Sequence, residues 1–91
     1  MSYKLSKRAE ADFRKIYKYT YREFGEEKAD KYTDSLEECF LLISENSRMG
    51  RSAGNLSKDL FRHEHQEHII FYRRKSDYVF IVRMRHKRED V

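Results

Sequence analysis

At 91 residues the chain has room for one domain, spanning 1–91, which would bury roughly 60 to 65% of the surface its unfolded form exposes. Charged residues make up 40% of it, but seven Tyr and six Phe supply core material that disordered chains lack, so a disordered polypeptide is excluded. The net charge of +4 is unevenly held: residues 1–45 carry nine Lys/Arg against ten Asp/Glu, and residues 46–91 carry eleven against six. That basic second half is suited to an acidic partner, either a nucleic acid or an acidic protein. A lone Cys39 excludes an internal disulfide and a finger-type zinc site, and fits a reducing compartment. No apolar run has the length of a signal peptide or a bilayer span, so a soluble, cytoplasmic protein is expected.

In chain order, Tyr3 to Leu5 reads as a short N-terminal strand, and Ser6 as the N-cap of the helix that follows. From Lys7 to Phe24 the residues Ala9, Phe13, Ile16, Tyr17, Thr20 and Phe24 recur every three or four positions, as on one face of an amphipathic helix. Gly25 should end it in a left-handed conformation. Glu26 and Glu27 open a second helix, where their charge complements the unpaired N–H groups of the first turn. It carries Ala29, Tyr32, Leu36, Cys39, Phe40 and Ile43 on one face and runs to about Asn46. So short a connection folds the helices into an antiparallel hairpin, whose apolar side needs a sheet to cover it.

Ser47 to Asp59, holding Gly50 and Gly54, reads as an ordered loop. Strands are expected over Leu60 to Glu64, Ile69 to Arg74 and Tyr78 to Met84, with turns at His65-Gln66-Glu67 and Lys75-Ser76-Asp77. The predicted fold is therefore α+β: an N-terminal strand, an antiparallel helical hairpin, then a three-stranded antiparallel meander, in the order β-α-α-β-β-β.

Two clusters invite chemistry. His63, His65 and His68 gather near one turn, but three histidines need a fourth position and fixed supporting partners to make a zinc site, and solvated histidines are commoner; no metal or cofactor is expected. Arg62, Arg73 and Arg83 lie on three successive strands, with Arg85, Lys87 and Arg88 beyond them, and a convergent set would bind phosphates or carboxylates bidentately. The competing reading has them pair with Glu64, Glu67 and Asp77. RNA cleavage would need a base, an acid and cations on the phosphate. His86 beside Arg83 and Arg85 supplies part of that, but the tail Lys87-Arg88-Glu89-Asp90-Val91 adds no tyrosine or histidine. No catalytic triad, phosphate-cradling glycine loop or nucleotide fingerprint is present.

Several segments along nearly the whole length then become familiar in combination. They are Tyr3-Lys-Leu-Ser6 with Ala9, Asp12 and Ile16; Tyr19-Thr20 and Phe24-Gly25; Ala29, Tyr32 and Leu36; Met49-Gly-Arg51; His68-Ile-Ile-Phe-Tyr-Arg73; and Ile81-Val-Arg-Met-Arg-His86 with Arg88 and Asp90. In this order the chain resembles the ParE branch of the RelE/ParE toxin superfamily. Ser47 departs from that pattern, where a proline often follows the second helix, and the tail lacks the tyrosine of the ribonuclease branch. The resemblance implies a toxin of a type II toxin-antitoxin module that inhibits DNA gyrase by binding, without catalysis. It also implies a cognate antitoxin whose flexible, acidic C-terminal segment folds around the toxin as a hetero-oligomer. The expected target-binding patch is Arg62, Arg73, Arg83, Arg85, His86 and Arg88. Tyr17, Tyr21, Arg73 and Arg83 are the expected antitoxin contacts. Two alternatives stand beside this reading: a ribosome-dependent messenger-RNA endonuclease using Arg62, Arg73, Arg83 and His86, and a non-toxic member that keeps only antitoxin binding.

Overall fold

The computed structural model describes residues 2–89. The elements are β1 (Ser2–Leu5), α1 (Lys7–Phe24), α2 (Glu26–Glu45), β2 (Arg51–Ser52), β3 (Phe61–His65), β4 (His68–Arg74), β5 (Tyr78–His86) and a 3₁₀ turn (Lys87–Glu89). They form one five-stranded sheet in the order β1-β5-β4-β3-β2. β1 runs parallel to β5 and the other pairs are antiparallel. This is the expected α+β fold with one addition, because a two-residue strand inside the 47–59 loop carries no periodicity to read. Among the described residues no helix is long and apolar enough to cross a membrane.

Ser6 starts α1 and ties it to the sheet at once. Its Oγ accepts from the Ala9 N–H at 3.0 Å and donates to the Val82 carbonyl at 2.8 Å, while its own N–H donates to Ile81 O at 2.9 Å. Gly25 alone joins the helices: its N–H donates to Tyr21 O and its carbonyl accepts from the Ala29 N–H. Its φ of +93° is the positive value expected of a glycine there, but ψ of 173° is extended rather than left-handed helical, which turns the chain straight into α2. Ala9 and Ile16 of α1 pack with Leu36, Cys39, Phe40 and Ile43 of α2 over Ile70, Tyr72, Val79, Ile81 and Met84 of the sheet. The ring of Phe40 lies 5.4 Å from that of Tyr3 and 6.3 Å from that of Phe13. Phe24 departs from the predicted stripe and is 59% exposed, since the hairpin tip extends past its cover.

The other sheet face is covered by the chain itself. Ala53 and Leu60, from the loop after β2, close over Ile69 and Phe71, with Val82 alongside. Tyr72 pins the start of that excursion from the helix side: its Oη donates to Ser47 O at 2.8 Å and accepts from the Gly50 N–H at 3.0 Å. A Cβ at Gly50 would collide with the Tyr72 hydroxyl and come within 2.8 Å of Arg62 O, so glycine is required there for close approach. Between β4 and β5 the register slips. Phe71 faces Arg83 while Tyr72 faces Ile81, which leaves Val82 as the extra residue of a β-bulge.

Tyr72→Phe would keep the buried ring but strand the Ser47 carbonyl and the Gly50 N–H. Urea denaturation should show a loss of about 1–3 kcal/mol with unchanged secondary structure by circular dichroism.

Candidate functional site

Beneath the overhanging hairpin tip lies an open groove of about 600 Å³. One wall is helical, with Tyr19, Thr20 and Phe24 from α1 and Lys28, Lys31, Tyr32 and Ser35 from α2; the other is the end of the sheet, with Gln66, Glu67, His68, His86 and Arg88. The helical spacing of residues 28, 31, 32 and 35 puts them on one face of α2. The β3–β4 turn holds Gln66 at a φ of +50°, and the register sets His68 opposite both His65 and His86.

Hydrogen bonds fix the floor. Ser35 Oγ donates its proton to Tyr32 O at 2.6 Å, so the 2.9 Å contact with His65 Nε2 has the imidazole as donor. His86 Nδ1 accepts the Arg88 N–H at 3.1 Å, so in the neutral ring the proton sits on Nε2, 3.9 Å from Glu67 Oε2. Tyr32 Oη and His68 Nδ1 meet at 2.6 Å. Burial pushes the Tyr32 hydroxyl up to about 12, opposed by a hydrogen bond from the Glu67 backbone. Burial likewise pulls His68 down to about 4; the His86 ring, edge-on at 5.3 Å, acts in the same direction, and Glu67 opposes it. His65 is lowered by burial and by His63. The floor is thus a hydrogen-bonded set of rings in which burial disfavours the charged forms of Tyr32, His65 and His68, and the fixed charges stand at the rim.

The arginines do not converge. Arg83, next to the bulge, donates Nε to Asp12 Oδ2 at 2.9 Å, and the same oxygen accepts the Met84 N–H at 3.0 Å. With side chains only 27% and 13% exposed, that pair joins α1 to β5. Arg73 lies on the loop-covered face and donates to Lys58 O at 2.6 Å and Ser57 Oγ at 2.8 Å. On the same face Arg62 lies over the Phe71 ring at 5.8 Å. Arg85 is 3.8 Å from Glu89. Of the predicted patch, His86 and Arg88 line the groove, and Arg62, Arg73, Arg83 and Arg85 do not. Tyr17 Oη donates to Asp30 at 2.9 Å, which raises its pKa, and Tyr21 beside it is 50% exposed. Neither lines the groove. Among the described residues no three His, Cys, Asp or Glu side chains are grouped to hold a metal; His65 and His68 are instead engaged by Ser35 and Tyr32.

Sequence reasoning missed Tyr19, Phe24, Lys28, Lys31 and Glu67 as site residues. Phe24 and Lys28, four apart with the ammonium 5.5 Å from the ring centroid, were the readable signal, but helical spacing also describes a core stripe.

A family model described as ParE toxin of type II toxin-antitoxin system, parDE, matches residues 3–91. The chain belongs to the ParE toxin family. "Toxin ParE1" of Caulobacter vibrioides is 35% identical over 71 residues, covering 78% of this chain and 74% of that one. "Toxin ParE1" of Mycobacterium tuberculosis is 29% identical over 90 residues, covering 98% and 92%. A solved structure, "Chromosomal ParDE TA system from P. aeruginosa", matches with a TM-score of 0.78 at 25% identity, over 94% of this chain and 95% of that one. The protein is a ParE-type toxin of a type II toxin-antitoxin system, and its groove and arginines are features of a ParE chain.

Two outcomes follow from the geometry. Asp12→Ala leaves Arg83 and the Met84 N–H without their partner and should lower stability by about 2–3 kcal/mol in chemical denaturation. Unfolded, His68 protonates near 6.5, but folded it resists down to about 4. Between those values the unfolded state binds more protons, so stability falls as pH drops through that window. In His68→Gln that share of the acid loss should disappear when urea midpoints are compared from pH 7 to pH 4.

Proposed function

We propose that this ParE-type toxin inhibits DNA gyrase by binding, without chemistry of its own, and is neutralised by a cognate antitoxin. The family match along nearly the whole chain carries this reading. The basic end of the sheet supports it, because Arg85, His86 and Arg88 follow one another where β5 ends and Arg88 has no carboxylate partner among the described residues. The target-binding set is accordingly centred on these three. Arg62, Arg73 and Arg83 contribute to it by shaping the sheet that presents them.

A cognate antitoxin is supported by the similar P. aeruginosa structure, which is that of a ParDE TA system. An acidic, flexible C-terminal segment of such a partner suits residues 46–91, where cations exceed anions by five. Its apolar residues would meet the half-exposed Tyr21 of α1 and Leu41 and Leu42 of α2. Such a segment orders as it binds, so the complex is a hetero-oligomer formed by coupled folding. Gyrase as the target places the action in the cytoplasm.

Expressed without an antitoxin, the chain should arrest growth, and the purified toxin should inhibit gyrase supercoiling and trap cleaved DNA. Arg85→Ala with Arg88→Ala should abolish both effects while the circular dichroism spectrum is retained. Cleavage of messenger RNA on ribosomes with gyrase unaffected would overturn the proposal.

A further inference from the structure

The helical wall of the groove beneath the hairpin tip carries Tyr19, Phe24, Lys28 and Lys31, which neither the packing nor the gyrase reading uses. Its apolar wall is aromatic: Tyr19 and Phe24 are 55% and 59% exposed, Tyr32 is half-buried beside them, and among the described residues no Leu, Ile, Val or Met lines it. Three cations stand at the rim, Lys28 and Lys31 on the helical wall and Arg88 on the sheet wall, while Glu67 is the one carboxylate among the described residues that line the groove. Among the described residues Lys31 has only the exposed helical pair with Glu27, at 3.2 Å. Among the described residues neither Lys28 nor Arg88 has a carboxylate within ion-pair distance. Polar groups are held in place at the sheet end, where Gln66 sits in its turn and His86 is oriented by the Arg88 N–H.

Exposed rings flanked by weakly paired cations, in a site of about 600 Å³, match the chemistry of a nucleotide better than that of a peptide. An amphipathic helix seats its apolar face in a hydrophobic groove of matching side chains, and this wall offers none that is aliphatic. A base has a π-face to lay on Phe24 or Tyr19, and its phosphates have cations on both walls. A duplex keeps its bases stacked inside, so only an unpaired strand can present one to these rings. The cations are divided between two walls, which suits successive phosphates of a strand rather than a single phosphate group.

We infer that the groove between the α1–α2 tip and the β3–β4 turn binds single-stranded nucleic acid, with a base stacked on Phe24 or Tyr19 and phosphates held by Lys28, Lys31 and Arg88. Gyrase need not be the target for the groove to do so. Binding by stacking and backbone charge is sequence-tolerant and salt-dependent.

The test is fluorescence anisotropy of a short labelled single-stranded oligothymidylate with the full chain, over a series of salt concentrations. Phe24→Ala, at an exposed position, should weaken binding roughly tenfold. Lys28→Ala with Lys31→Ala should weaken it and reduce the salt slope by about 0.7 for each phosphate no longer held. Lys75→Ala, exposed in the β4–β5 turn and absent from the groove lining, should leave the affinity within a factor of about two, and circular dichroism shows that each variant is folded. Unchanged affinity in the Phe24 and lysine variants overturns the site. Equal affinity for the matching duplex overturns the stacking of an unpaired base. Competition by free thymidine monophosphate as strong as that by the unlabelled strand overturns the strand and assigns the groove to a free nucleotide.

Discussion

Four consecutive residues of β4, Ile69-Ile70-Phe71-Tyr72, are all buried, and in a strand successive side chains point to opposite faces. Both faces of the sheet centre must therefore be covered, and a 91-residue chain has only one helical hairpin with which to do it. The hairpin takes Ile70 and Tyr72. Ile69 and Phe71 are left to the loop that carries Ala53 and Leu60. The long polar excursion after α2 is thus half of the core's enclosure. Tyr72 holds one end of it through Ser47 and Gly50, and Arg73 holds the other through Ser57 and Lys58.

The second constraint is the hold of α1 on β5. β1 pairs with β5 only as far as Leu5 and Ile81. Beyond that point the exposed edge of β5 is satisfied by side chains of α1 and its cap, with Ser6 on the Val82 carbonyl and Asp12 on the Met84 N–H. The first half of α1 is fixed against the sheet by these bonds, and the hairpin tip at Gly25 projects beyond its end. That overhang creates the groove and leaves Phe24 and Tyr19 in water.

The same geometry sorts the cations. Arg83 and Arg73 are committed to structure, since each satisfies groups that would otherwise lie unpaired in a small domain, and Arg62 is stacked on Phe71. Arg85, Arg88, Lys28 and Lys31 remain at the surface with weak partners or none among the described residues. Exposed ion pairs contribute little stability, so these side chains are available to a target or an antitoxin without loss of fold. A net charge cannot distinguish the two groups.

The sequence by itself determined both helices to within a residue, the Ser6 cap, the break at Gly25 and the three long strands, because these depend on local periodicity and capping chemistry that adjacent residues carry. It also held the family, in motifs spread from Tyr3 to Asp90. Only the tertiary structure decided that β1 lies parallel on β5, that residues 51–60 cover a face, that Arg83 belongs to Asp12 seventy-one positions away, and that Phe24 faces solvent. Periodicity says which side of an element is apolar but not where its cover ends. An arginine's partner is chosen by which carboxylate the fold brings within hydrogen-bonding distance, and the distance along the chain plays no part in that choice.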